Sequence, residues 1–465
     1  MYQKVDVLFH QQKAYQRSNK LLEARQRIDH LKKLKDVIQR HEPEIFNALS
    51  TDLRKSEFEA AVTEIYFVYS EIDFAIKHLS NWVKPRRARP TVASLFAKNR
   101  IIYEPKGSCL IIAPWNYPFQ LTMSPLVSAL AAGNTAIIKP SEYSPHTAAV
   151  IAAILDEAFD TSVVYCALGG QEVSETLLKL PFDHIFFTGS TQVGKIVMRA
   201  AAEHLSTITL ELGGKSPALI HSSADLEKTA EKVAWGKLIN AGQTCIAPDY
   251  VLIHHSQEEK FIQHFKTAAT RLIYGENGTI DPNSYAKIIN GKHMARLNLL
   301  IEDAIQNGAE IAWQGQNNLE DSISPTILRN VKPESRILEE EIFGPLLPIV
   351  TYSDIEEAID FIRSKPKPLA LYIFSSNTRA IDNIIKSTSA GGTCVNDVIL
   401  HVSNPNLPFG GVNHSGMGGS HGYFGFKAFS HERSVMYQSR VPMSKLIYPP
   451  YSNKGWVLKF LKRWM

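Results

Sequence analysis

Cys109-Leu-Ile-Ile-Ala113, Thr135-Ala-Ile-Ile-Lys139, Val163-Val-Tyr-Cys166, Ile185-Phe-Phe187 and Ile208-Thr-Leu210 are short apolar runs separated by helix-length segments. One such segment is Ser144-Pro-His-Thr-Ala-Ala-Val-Ile-Ala-Ala-Ile-Leu155, where Pro145 suits a first helical turn. Strands that are apolar on both faces and alternate with helices must be covered on both sides, which predicts a parallel sheet. The region 101–221 therefore reads as an α/β unit. A second α/β unit is predicted over about 217–412, from Tyr250-Val-Leu-Ile-His254, Leu346-Leu-Pro-Ile-Val350 and Leu369-Ala-Leu-Tyr-Ile-Phe374, with a helix over Asp354 to Ser364. Upstream, Ile28, Leu31, Leu34 and Ile38 recur at helical spacing, as do Ile65, Tyr69, Ile72, Ile76 and Leu79. Pro85 and Pro90 end that helical region, and the Gly-, Asn-, Ser- and His-rich stretch 403–425 is predicted to be loop.

The chain has 465 residues, 44% hydrophobic and 21% charged, which excludes disorder and fibrous classes and implies more than one domain. Fifty Lys and Arg against 46 Asp and Glu leave a formal charge of +4, too small and dispersed for a nucleic-acid binder. The basic stretch Lys84-Pro-Arg-Arg-Ala-Arg89 is broken by proline and reads as a solvated loop. Four cysteines, Cys109, Cys166, Cys245 and Cys394, lie far apart without a C-x-x-C, so neither a disulfide frame nor a metal site is expected. No secretory signal is legible at the N-terminus, and the predicted location is the cytoplasm.

Four segments carry candidate chemistry, each with an ordinary structural alternative. Cys245 sits in Asn240-Ala-Gly-Gln-Thr-Cys-Ile-Ala-Pro248, a polar turn, whereas the other three cysteines lie in strand-like runs where a thiol is an inert small hydrophobe. Glu211, in Thr209-Leu-Glu-Leu-Gly-Gly-Lys215, ends an apolar strand; desolvation there raises a carboxyl and suits a general base, the alternative being a pair with a lysine. Asn116, in Ala113-Pro-Trp-Asn-Tyr-Pro-Phe119, follows the first strand, where α/β ligands bind; it is an oxyanion donor or a turn residue. Phe186-Phe-Thr-Gly-Ser-Thr-Gln-Val-Gly194 runs from strand to helix and presents free N–H groups to a phosphate, or simply caps a helix.

Together these segments closely resemble the aldehyde dehydrogenase superfamily. APWNYPF, IIKPSE, FTGS, LELGGKSP, GQTC and EEIFGP stand in family order across 113–345, and GQTCIAPDY with LPFGGVNHSGMGGSHGYFGFKAFSHERSV resembles the class 3 branch of fatty, aromatic and coniferyl aldehyde dehydrogenases. The resemblance implies two parallel-sheet α/β domains plus a small oligomerisation arm. A dinucleotide-binding domain is expected over 1–83 and 105–211, and a catalytic domain over 212–412. The arm is expected over 84–104 and 427–445, with strands around Ala88–Glu104 and Ser434–Arg440. It also implies that Cys245 attacks the aldehyde carbonyl, that Asn116 and the Cys245 N–H hold the oxyanion, and that Glu211 activates the hydrolytic water. Trp115, Lys139, Glu142, Gly189, Ser190, Gly194, Glu341 and Phe343 carry over as cofactor-binding residues. A carboxylate at Glu142 opposes a 2′-phosphate, so NAD is expected ahead of NADP, though the class 3 branch accepts both.

The rivals are a cysteine hydrolase, an acylating dehydrogenase that passes its thioester to coenzyme A, and a silent scaffold of the same fold. His414 and His421 have no recognisable partner motif that would supply a hydrolase base. Tyr66, Trp115, Tyr117 and Phe409 suggest an apolar substrate tunnel, hence an apolar aldehyde. A homodimer is expected. The tail 446–465 is predicted to form an amphipathic helix with Val457, Phe460, Leu461, Trp464 and Met465 on one face. That face either packs on protein, the favoured reading, or makes weak peripheral contact with an anionic membrane.

Overall fold

Helices Ala24–Arg40, Glu42–Leu53, Glu57–Ala60 and Tyr66–Trp82 form at the predicted spacing, with the π-helical turn Ala61–Ile65 leading into the last. Leu31, Leu34, Ile38, Ile65, Ile72 and Leu79 are all fully buried. The computed structural model describes residues 2–18, 23–91, 94–440, 445 and 448–464.

After strands β1 (Arg86–Ala88) and β2 (Lys98–Pro105), the chain builds a sheet from β3 (Ser108–Ile112), β4 (Thr135–Lys139), β5 (Val164–Cys166), β6 (His184–Gly189) and β7 (Thr207–Leu212). These strands are parallel, in the order β7-β6-β3-β4-β5. Side chains alternate between two cores. Cys109 and Ile111 join the one with Leu31, Leu126 and Ile151, while Leu110 and Ile112 join the one with Val5, Phe9 and Val197. Apolar residues on both faces are what a doubly covered sheet demands. The chain steps outward from β3 to β4 and β5, then returns to the other side of β3 for β6 and β7. That reversal opens a crevice at the carboxyl ends of β3 and β6, the place where doubly wound sheets take ligands.

The second sheet comprises β8 (Pro217–Ile220), β9 (Tyr250–His254), β10 (Glu310–Gln314), β11 (Thr326–Arg329), β12 (Leu346–Tyr352), β13 (Ala370–Phe374) and β14 (Gly392–Val395). Its order is β10-β11-β12-β9-β8-β13-β14, parallel throughout except for β10. The predicted helix over 354–364 spans Ile355–Ser364, with the Asp354 carboxylate capping it.

Two expectations need correction. The stretch 403–425 is not all loop: β15 (Gly416–Met417) pairs antiparallel with β7, Gly416 opposite Glu211, and helix Gly422–Ala428 follows. Main-chain hydrogen bonds build this return, so no apolar periodicity announces it. Phe426 and Phe429 then enter the first sheet's core. The arm strands also differ from expectation. β16 (Ser430–Tyr437) starts earlier than Ser434 and pairs along β2 from Ser430 opposite Pro105 to Tyr437 opposite Lys98. The first predicted arm strand is split by Pro90 into β1 and β2. The tail helix forms as Gly455–Trp464; Val457 is buried, while the side chains of Phe460, Leu461, Trp464 and Met465 lie outside the described residues.

Gly416 has φ +147°, and a Cβ there would collide with the Leu210 carbonyl. Gly416→Ala is therefore expected to destabilise the protein by about 2 kcal/mol, through backbone strain and overpacking. A lower urea midpoint, followed by tryptophan fluorescence, checks this; an unchanged midpoint contradicts it.

Candidate active site

Two loops from different sheets meet at the crevice. The loop after β3 carries Asn116, which is 2% exposed; its amide Nδ2 donates to the Gln243 carbonyl at 2.9 Å. The second loop follows helix Leu226–Leu238 and begins with the 3-10 turn Ile239–Gly242. Asn240 (φ 50°), Ala241 (φ 51°) and Gly242 (φ 77°) are left-handed in succession. Only glycine fits at 242, where a Cβ would strike the Gly344 carbonyl. The buried Gln243 side chain pins the turn, donating to the Asn240 carbonyl at 3.0 Å and the Lys287 carbonyl at 2.9 Å, and accepting from Ile289 N–H at 3.0 Å. The Tyr117 and Thr244 hydroxyls bond at 2.6 Å. Cys245 thus emerges from a constrained turn, half-buried, unlike the fully buried Cys109 and Cys166 in β3 and β5.

A cavity of about 770 Å³ opens beside these loops, and Cys245, Glu211, Thr244, Tyr117, Phe409 and His421 are among its walls. Burial pushes the Cys245 thiol up, and the Glu341 and Glu211 carboxylates push it further; the N–H groups of Cys245 and Ile246 act the other way. Burial likewise raises the Glu211 carboxyl, against the pull of His421, Ser420 and Thr188. The Ser420 hydroxyl donates to Glu211 Oε1. The lysine pair that was the alternative reading of Glu211 does not form: Lys215 pairs with Asp249 and donates to the carbonyls of Ile337 at 2.7 Å and Glu340 at 2.9 Å.

The tunnel reading is half right. Tyr117 and Phe409 line the cavity, but Tyr66 is 52% exposed and stacks on Tyr69, and Trp115 packs against Phe343 and His293 at ring distances of 5.4 and 5.0 Å. Neither is among the residues that wall the cavity.

The residues expected to hold a coenzyme come from the ends of β4 and β6 and from the segment before β12. Lys139, at the end of β4, is 2% exposed and donates to the Pro140 carbonyl at 2.8 Å and to Glu142 at 3.1 Å. Gly189 ends β6, and Ser190 caps helix Thr191–Glu203, its hydroxyl accepting from Val193 N–H at 3.4 Å. Both the cap and the open helix terminus are therefore present. Gly194 is buried against Leu212, and its lack of a side chain lets the helix approach β7. Glu341 presses its carboxyl onto Gly213, where a Cβ would collide with it, and burial with the nearby Asp249 pushes it up to about 8. Its Oε1 is buried with no hydrogen-bond partner among the described residues. Phe343 follows in a left-handed conformation (φ 51°) beside Trp115. A helix terminus after β6, a buried lysine at the end of β4 and an orphaned carboxylate oxygen on Glu341 are groups that suit a dinucleotide with its ribose hydroxyls.

Sequence reasoning missed the group behind Glu211. His421 (φ 70°) is 4% exposed, with Nδ1 at 3.6 Å from Glu71 Oε1, and Glu71 Oε2 accepts from Gly422 N–H at 3.0 Å. Burial alone would lower His421, but the nearby Glu71 carboxylate, with the charge of Glu211, raises it. Burial also works upward on Glu71, and His421 overrides it to hold the carboxyl low. The one available signal was a histidine inside a glycine-rich run; its partner lies on a helix in the first quarter of the chain.

The Aldehyde dehydrogenase family model matches residues 2–435. The 4,4'-diaponeurosporen-aldehyde dehydrogenase of Staphylococcus aureus is 43% identical over 459 residues, 98% of each chain. Aldehyde dehydrogenase family 3 member A2 of Rattus norvegicus is 44% identical over 450 residues, 96% of this chain and 92% of that protein. A solved substrate-bound state of Staphylococcus aureus AldH superposes with a TM-score of 0.94 at 42% identity, over 98% of this chain and 99% of that one. By sequence and by fold, this chain belongs to the aldehyde dehydrogenase family, whose general reaction is the NAD(P)-dependent oxidation of an aldehyde.

Proposed function

We propose that Cys245, Glu211 and Asn116 perform that oxidation through a covalent thioester on Cys245. The observation that carries this reading is the convergence of Cys245 and Glu211 on one cavity, with the Asn116 amide bonded into the same loop. The Cys245 thiolate adds to the aldehyde carbon, and the Asn116 amide with the Cys245 N–H holds the oxyanion. A nicotinamide coenzyme, when bound, would supply the acceptor for the hydride, with its electron pair, that this carbon loses. The resulting thioester is hydrolysed by a water whose proton passes to Glu211, releasing the carboxylate and the thiol. Burial raises the Glu211 carboxyl, which strengthens it as a base.

Lys139 and Glu142 are assigned to the adenosine ribose, Gly189 and Ser190 to the pyrophosphate, Glu341 to the nicotinamide ribose, and Trp115 and Phe343 to the walls beside the ring. Glu142 favours NAD; the adjacent Lys139 keeps NADP acceptable. Phe58, Val62, Phe67, Trp235 and Leu400 give the cavity apolar walls, which supports an apolar aldehyde. The proposed assembly is a homodimer, with 84–104 and 427–445 supplying the arm. β14 and β16 are sheet edges in the chain, and Met436 and Tyr437 on β16 are 57% and 53% exposed. Buried Val457 supports packing of the tail helix on protein rather than on a membrane, and no helix among the described residues is long and apolar enough to cross one. The proposed location is the cytoplasm.

Cys245→Ser is expected to abolish NADH formation while NAD binding persists, because a serine hydroxyl lacks the thiolate fraction. Turnover by the serine variant would remove Cys245 from the mechanism. With Glu211→Gln, NADH should form in a burst of about one per active site and then slow steeply, because the thioester accumulates. Absence of the burst would place Glu211 before hydride transfer. Glu341→Gln removes a carboxylate that raises the thiol, so iodoacetamide should alkylate Cys245 severalfold faster at pH 9. An unchanged alkylation rate, read by mass spectrometry, would contradict that coupling.

A further inference from the structure

Lys55 and Glu64 form an ion pair whose side chains are both fully buried, Nζ to Oε1 at 2.5 Å. Removing two charges from water costs several kcal/mol, so such a pair is poor evidence of stability and its geometry is the better guide to its use. Lys55 Nζ also donates to the main-chain carbonyl of Asn116 at 3.1 Å and lies 3.8 Å from the centre of the Tyr117 ring. Glu64, within the π-helical turn Ala61–Ile65, accepts with Oε2 from the N–H groups of Phe119 at 3.1 Å and Gln120 at 2.8 Å. Those two N–H groups open helix Gln120–Ala132, so the carboxylate caps the helix that follows Asn116. A π turn at a buried charged contact is a pattern common at functional sites.

The second loop is tied to the same pair. The Asn116 carbonyl that receives Lys55 also accepts from Asn240 Nδ2 at 2.8 Å, and Asn240 N–H donates to Glu59 at 2.9 Å, one helical turn before Glu64. Tyr117, beneath the Lys55 ammonium, bonds to Thr244, the neighbour of Cys245. The cation thus touches main chain or ring at Asn116 and Tyr117, and each of those residues touches the loop of Cys245.

We infer that Lys55, held by Glu64, is a positioning residue for the oxidation. It fixes the Asn116–Tyr117 main chain so that the Asn116 amide stays aimed at the site where the oxyanion forms. This rests on the proposed role of Asn116. An amide that wanders by about 1 Å loses on the order of 100-fold in rate, whereas Lys55 itself contacts none of the residues assigned to the coenzyme.

The test is a double-mutant cycle on the single-turnover rate of hydride transfer, read as NADH absorbance with aldehyde and saturating NAD. Asn116→Ala is expected to lose about 100-fold or more. Lys55→Met should lose about 10-fold to 100-fold, with the KM for NAD and the iodoacetamide reactivity of Cys245 unchanged. In the double variant the two losses should fail to multiply, leaving the rate within about threefold of Asn116→Ala alone. If Lys55→Met does not fold, Glu64→Gln, which keeps the side-chain volume, enters the same cycle with the same expected non-additivity. Losses that multiply in full, or a folded Lys55→Met with the wild-type rate, overturn the inference. An Asn116→Ala variant with the wild-type rate removes Asn116 from the mechanism and the inference with it.

Discussion

The hydrogen bond from the Asn116 amide to the Gln243 carbonyl joins the carboxyl end of one sheet to a turn that belongs to the other. Neither loop is regular structure, and both are largely buried, so each main-chain polar group needs a named partner. The Asn240 and Gln243 side chains supply such partners, to the carbonyls of Asn116, Gln243 and Asn240, while the Tyr117 and Thr244 hydroxyls bond to each other across the two loops. Three successive left-handed residues are tolerated at 240–242 because this network over-determines them. The constraint also explains why glycine stands at 242 and why Lys55 is drawn into the interior, since the Asn116 carbonyl is shared between its ammonium and Asn240.

Charge is arranged around the thiol with equal economy. Two carboxylates, Glu211 and Glu341, disfavour the thiolate, while the N–H groups of Cys245 and Ile246 favour it. Behind Glu211, His421 stands beside Glu71 and works against the burial that raises the carboxyl of the proposed base. Family membership accounts for the reaction class; the cavity walls account for the proposed preference for apolar aldehydes.

The strands of both sheets were legible because parallel sheets bury both faces, and unbroken apolar runs such as 135–139 and 370–374 survive in the sequence as a direct imprint of that burial. Cys245 and Glu211 were legible for the opposite reason: each breaks its local pattern, a thiol in a polar turn and a carboxylate in an apolar strand. Asn116 was visible as a strand-end residue. The tail helix was visible from its periodicity, whereas the seat of Val457 was not.

Other features depended on long-range pairing. β15 is a two-residue strand made of main-chain bonds, which no side-chain periodicity records. His421 finds Glu71, and Asn116 finds Gln243, across sequence separations that only the folded chain closes. Lys55 and Glu64 are nine residues apart, one in the loop after helix Glu42–Leu53 and the other in the π-helical turn, and nothing in that spacing records that the surrounding helices bury them together. The sequence by itself determined which segments must be covered by others and which residue types could do the chemistry, because burial and reactivity are local properties of side chains. Tertiary structure alone decided which buried charges face one another, because desolvation and hydrogen-bond satisfaction are settled by neighbours that the chain order does not reveal.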